Sequence, residues 1–145
     1  MEFKKPKRRV SRVFIHCSAA SRPSVDAEEV DLWHRQRGWS EIGYHYFIKT
    51  DGTVEIGRDL EKTPAAQRFH NLWTIAICLN GLKPSDFTDR QFLHLKQLCI
   101  QINKAYEGKV TFHGHCEVAK KACPVFDYKH VLQLDKKGYL NDSLI

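Results

Sequence analysis

Residues 73–81, "WTIAICLNG", are apolar at nearly every position through Leu79. A strand with one wet face alternates apolar and polar residues; this run does not. It reads as a central strand covered on both faces, the situation of a sheet with helices packed above and below.

The segments around it fit such a sheet. Residues 12–17, "RVFIHC", form a short β-branched and aromatic run that reads as a second buried strand. His16 sits at its C-terminal end, where open α/β sheets commonly place ligand groups. In "YHYFIKTDGTVEIGRD", residues 44–59, two strand-like runs flank Asp51-Gly52, a dipeptide suited to a tight hairpin turn. "KVTFHGH" returns as another short strand. Two helices are well punctuated. "DAEEVDLWHRQRG" begins with an Asp26/Glu29 capping pair and ends at Gly38, with Ala27, Val30 and Trp33 on one stripe and the Arg37 stem at its edge. "TDRQFLHLKQLCIQINKAYEG" opens on a Thr88/Gln91 capping box and buries Phe92, Leu95, Cys99, Ile102 and Tyr106. A last helix capped by Asp127 carries Val131, Leu132 and Leu134, with Phe126 and Val131 placed as a hydrophobic staple. Strands and helices alternate without a linker or repeat. The expected fold class is α/β: a single domain over residues 11–145 with a central mixed β-sheet flanked by helices. The basic head "KKPKRR" makes residues 1–10 a flexible arm.

Composition narrows the partners. A chain of 145 residues with a formal charge of +6 suits an anionic surface, whether nucleic acid, acidic membrane or cell-wall polymer. The start "MEFKKPKRRV" resembles a signal n-region, but "SRVFIHCSAA" is too short and too polar to follow it as an apolar core. No apolar run approaches spanning length, so no membrane insertion is expected and the protein should be cytoplasmic where it is made. The cysteines Cys17, Cys78, Cys99, Cys116 and Cys123 are odd in number, which favours free thiols or metal ligation over a disulfide framework.

The chemistry concentrates in residues 113–127, "HGHCEVAKKACPVFD". Disulfide, zinc site, thiol nucleophile and core filler all remain open for it. His115 and Cys123 would converge if "CEVAKKA" folds back, since Pro124 stops it continuing as a helix. His16 would then supply a third donor. Two neutral imidazoles and one thiolate would leave zinc with a formal charge of about +1 and an open position for water. His113, Cys116 and Cys17 lie equally near in sequence. His113 and His115 would share a strand face, with Cys116 pointing away. Cys17 and Cys116 read more simply as small hydrophobes, and Cys78 and Cys99 as core. Tyr44 and Tyr46 would share a face as half-buried packing, Lys121 could be a solvated loop charge, and Glu117 fits a group that orients a histidine.

Four ordered blocks carry a resemblance: "RVFIHCSA", "RGWSEIGYHYFIKTDGTVEIGRD", "HNLWTIAICLNG" and "HGHCEVAKKACPVFD", spanning most of residues 12–128. The chain resembles the phage lysozyme-type zinc N-acetylmuramoyl-L-alanine amidases, relatives of the type 2 amidases and peptidoglycan recognition proteins. The resemblance implies Zn2+ held by His16, His115 and Cys123, with Tyr44 and Lys121 as catalytic groups that stabilise an oxyanion. It implies an endolysin that cleaves the amide between N-acetylmuramic acid and L-alanine. Such a protein accumulates in the cytoplasm of the producing cell and reaches the wall once the membrane is opened. Peptidoglycan is the expected partner, a phage RNA polymerase a further one. The alternative is a binding protein on the same fold, either a peptidoglycan sensor or a polymerase inhibitor. A direct nucleic-acid contact is not expected, because the donors lack the paired spacing of structural zinc fingers. A monomer is expected. One stretch departs from the family pattern: "TPAAQRFHN" carries Ala66 and Gln67 where relatives have a histidine, a change expected to bear on substrate grip. His70 and Asn71 could line the same groove.

Overall fold

A computed structural model describes residues 1–141; the last four positions of the expected 11–145 domain lie outside the described residues. The chain runs β1 (Arg12–Cys17), α1 (Ala27–Gln36), β2 (Tyr46–Ile48), β3 (Val54–Ile56), β4 (Thr74–Leu79), α2 (Asp89–Ala105), β5 (Thr111–Gly114) and α3 (Tyr128–Leu132). The five strands form one sheet in the order β3-β2-β4-β1-β5. β4 sits at its centre, paired parallel to β1 and to β2, and every one of its residues is buried. Its continuous apolar character is therefore the signature of a strand with a core on each face. β5 adds to β1 in parallel, and only the β2–β3 hairpin is antiparallel, which makes the sheet mixed.

The two cores differ in size. Val13, Ile15, Ile75 and Ile77 point to one side and meet Leu95, Leu98, Cys99 and Ile102 of α2 and Leu132 of α3. Phe47 and Cys78 point to the other and meet Ala27 and Val30 of α1 together with Val25 and Ile42. α2 starts where Thr88 and Gln91 exchange side-chain-to-backbone bonds, and α1 where the Asp26 carboxylate accepts Glu29 N–H. Each satisfies donors that a helix start leaves orphaned. On α1 the third buried position is His34 rather than Trp33 or Arg37. The hairpin turn is wider than a two-residue loop: Lys49 N–H reaches Thr53 O, and Gly52 N–H returns to Lys49 O with Gly52 at φ +92°.

The N-terminal segment, expected as a flexible basic arm, lies against the body of the domain. Phe3, Pro6 and Val10 are buried, Phe3 N–H donates to Gln101 Oε1, and the Phe3 ring packs on Tyr106. Arg8 enters the body, donating to Leu60 O through Nε and to Thr74 O through Nη2. Charge density suggested a solvated arm, but the interspersed apolar residues and these carbonyl acceptors hold it as a strap.

Candidate metal centre

The parallel pairing of β1 with β5 explains how residues almost a hundred positions apart meet. Ile15 lies opposite Gly114, so one step further His16 at the end of β1 comes beside His115. β5 stops at Gly114, and His115 begins a single 3-10 turn through Glu117. The simple strand alternation expected for residues 113 to 116 therefore ends two residues early. Residues 116–123 fold back, tied by Cys116 N–H to Cys123 O at 2.8 Å, and deliver Cys123 to the same point.

The donor atoms of His16, His115 and Cys123 all lie within 4.8 Å of one another. The two rings are 4.7 Å apart, and His16 Nδ1 is 3.8 Å from Cys123 Sγ. Ligands at tetrahedral angles and ordinary zinc–nitrogen and zinc–sulfur lengths sit roughly 3.6 Å apart, so this pair is already near a bound spacing. His16 and His115 are both buried. Burial first, and then the charge of His115 and of Lys121, push the His16 pKa down to about 3; burial and Lys121 lower that of His115. Both imidazoles are neutral at neutral pH, the form that offers a lone pair. Cys123 Sγ accepts Cys17 N–H at 3.1 Å, a bond that works toward the thiolate but is outweighed by the Cys17 thiol and by burial. A hydrogen bond between the two thiols lowers the Cys17 pKa to about 7 and raises that of Cys123, so in the bare pair the negative charge goes first to Cys17. A cation between the imidazoles would draw that charge to Cys123. All five cysteines are free thiols.

Around this point stand the other expected groups. The Tyr44 ring is 5.2 Å from that of His16 and 5.5 Å from that of His34. Burial, followed by the neighbouring thiols of Cys78, Cys123 and Cys17, raises its pKa well above the usual phenol value, so it remains an O–H donor. Tyr44 and Tyr46 do not share a face: Tyr44 packs on the α1 side and Tyr46 on the α2 side. Regular strand begins only at Tyr46, and the irregular backbone at 44–45 breaks the period. Lys121 is exposed and lines, with His115, a cleft of about 780 Å³ whose walls include Arg37, Trp39, Asn71 and Phe69. Phe69 is 86% exposed and held at φ +71°, a left-handed conformation that costs a non-glycine residue free energy.

Other donors near in sequence fall away. His113 binds Thr111 Oγ1 and Glu117 Oε1, at 2.7 and 2.9 Å, and is not among the converging trio. Glu117 orients this His113 rather than His115. Burial would raise its pKa, but bonds from Tyr128, His113 and Gly114 N–H outweigh that and hold it low. Cys116 is exposed, not a buried small hydrophobe, whereas Cys17, Cys78 and Cys99 are buried as expected. Asn71 has a structural task, its Oδ1 accepting the N–H groups of Ala66 and Gln67.

Gln67 was expected at the substrate groove. It lies instead behind the centre, fully buried, with Oε1 2.8 Å from His16 Nε2. No periodicity marks an isolated glutamine in a polar loop, so only the folded chain could reveal this contact.

Comparison with known proteins gives the family and the fold. A family model described as N-acetylmuramoyl-L-alanine amidase matches residues 6–126. The endolysin of Escherichia phage T7 is 41% identical over 125 residues, covering 81% of this chain and 82% of its own. That of Enterobacteria phage T3 is 39% identical over 133 residues, covering 86% and 87%. Among solved structures, the endolysin N-acetylmuramoyl-L-alanine amidase LysCS of Clostridium intestinale superposes with a TM-score of 0.77 at 24% identity, covering 87% of this chain and 83% of that one. Drosophila PGRP-LB superposes at 0.73 and 22% identity, covering 96% and 89%, and shares the fold.

Proposed function

This chain belongs to the N-acetylmuramoyl-L-alanine amidase family, and we propose that it is a phage-type endolysin: a peptidoglycan hydrolase that cleaves the amide joining N-acetylmuramic acid to L-alanine. The observation that carries the reading is the meeting of His16, His115 and Cys123, with His115 opening this centre onto the cleft.

Those three side chains would hold a zinc ion, which when bound supplies a Lewis acid for the amide carbonyl and brings water toward ionisation at neutral pH. Tyr44, kept protonated by burial, donates its O–H as the carbonyl oxygen gains negative charge. Lys121, which lines the cleft with His115, adds positive charge there. Arg37, Trp39 and Phe69 line the space into which the glycan-linked peptide fits. Among the described residues no helix is long and apolar enough to cross a membrane. The proposed enzyme works as a monomer, gathers in the cytoplasm of the producing cell and acts on the wall once the membrane is breached.

The test is product analysis. Purified protein incubated with peptidoglycan should release stem peptides that begin at L-alanine, visible by mass spectrometry; a chelator should stop release and added zinc restore it. Absence of such peptides with zinc supplied would leave a binding protein as the better reading. Zinc content of Cys123→Ser should collapse while that of Cys116→Ser stays, and equal loss from both would overturn the donor assignment.

A further inference from the structure

We infer that Gln67 is a positioning residue that fixes the ring orientation and tautomer of His16, so that Nδ1 alone faces the metal centre. The inference rests on the metal-dependent reading above and concerns only this chain's own groups.

Hydrogen-bond direction around Gln67 fixes which His16 nitrogen carries the proton. Gln67 is completely buried, so its carboxamide finds no water and takes its partners from the protein. Its Nε2 donates to Thr74 Oγ1 at 2.7 Å and to His70 O at 3.2 Å. Thr74 spends its own hydroxyl proton on Asn71 O at 2.8 Å, which leaves Thr74 Oγ1 as an acceptor for the amide. His70 O can only accept. Turning the carboxamide over would set its oxygen against that carbonyl and strand an amide N–H. Its orientation is therefore fixed, and Oε1 must face His16 Nε2 at 2.8 Å. An amide oxygen accepts and never donates, so Nε2 of His16 carries the proton. The lone pair is left on Nδ1, the atom 3.8 Å from Cys123 Sγ. The loop that presents Gln67 is itself pinned, since Asn71 Oδ1 takes the N–H of both Ala66 and Gln67. An otherwise unremarkable glutamine thus sets which imidazole nitrogen is offered.

A space-filling role would predict none of this direction. Histidine ligands in metal sites usually donate their second N–H to a protein acceptor, and loss of that partner costs about 10–100-fold in metal affinity. Here the acceptor is neutral, so it orients the ring without making the imidazole as basic as a carboxylate would.

The test has two arms. Nitrogen-15 chemical shifts of His16 in the metal-free wild-type protein should report a proton on Nε2; a proton on Nδ1 overturns the inference without any mutation. Zinc affinity is then measured by chelator competition for wild type, Gln67→Met and Gln67→Glu, with folding checked by thermal melting. Gln67→Met, of similar length but without the acceptor, should bind zinc about 10–100-fold more weakly. Gln67→Glu, which keeps an oxygen opposite Nε2, should recover most of the loss. Methionine binding within twofold of wild type sinks the inference. A wild-type protein that binds no zinc would sink the metal reading instead, and the tautomer measurement would still decide the role of Gln67.

Discussion

Lowering the pH from 7.5 to 5 should weaken this fold through two histidines that the candidate site does not use. His45 is fully buried between β2 and the loop before β4. Its Nδ1 accepts Ala76 N–H at 3.1 Å and its Nε2–H points at Lys62 O at 2.8 Å. A second ring proton has nowhere to go without breaking the first bond. Burial, with the charges of Arg8 and Arg58, lowers its pKa from 6.5 to about 4. The unfolded chain therefore takes up a proton before the folded one does. Stability from keeping the ring neutral is complete above about pH 6.5 and drains away as pH falls toward 4. At pH 5 the solution is 1.5 units below the unfolded value, worth about 2 kcal/mol at 1.36 kcal/mol per unit. His34, whose Nδ1 accepts Gly43 N–H at 2.9 Å and whose pKa is also lowered to about 4, adds a further share, discounted for solvent screening. Against a total of about 5–15 kcal/mol this is a large loss. Urea unfolding of the metal-free protein at a series of pH values measures it, with His45→Gln as the control. The variant should start less stable at pH 7.5 yet lose about 2 kcal/mol less than wild type on the way to pH 5. Parallel curves for the two proteins would refute the reasoning.

Two further outcomes follow from the geometry. Tyr44→Phe removes an O–H donor while keeping a ring beside His16; peptidoglycan hydrolysis should slow by about 10²–10³-fold at unchanged zinc content, and a rate within threefold of wild type would remove Tyr44 from the chemistry. Gly43→Ala would set a Cβ 2.0 Å from Ala65 O, whose residue donates its own N–H to Gly43 O, so the backbone must part just before the Gln67 loop. A loss of about 1–3 kcal/mol in urea unfolding is expected, and an unmoved midpoint would show that the loop has room to give.

The features readable in the sequence are those with a local or periodic cause. The unbroken apolar run of β4 encodes burial on two faces, and the Thr88/Gln91 and Asp26/Glu29 pairs encode helix starts, because each acts within a few residues of itself. His16, His115 and Cys123 stood out by residue type, by position at strand ends and by resemblance, but their meeting depends on β1 and β5 being parallel neighbours. What stayed hidden depends on partners far along the chain. The partial burial of Arg8 rests on the carbonyls of Leu60 and Thr74, and charge counting alone sends that residue to solvent. Tyr44 and Tyr46 part company because the backbone leaves strand geometry between them. Gln67 stood out along the chain only as a departure from the family pattern that bears on substrate grip; in the fold it stands behind His16, and Thr74 joins it to Arg8. His16 Nε2, Gln67, Thr74 and Arg8 form one line of polar contacts from the centre to the N-terminal strap. A basic head and a polar loop, each dispensable by composition, thus meet at the first residue of the central strand.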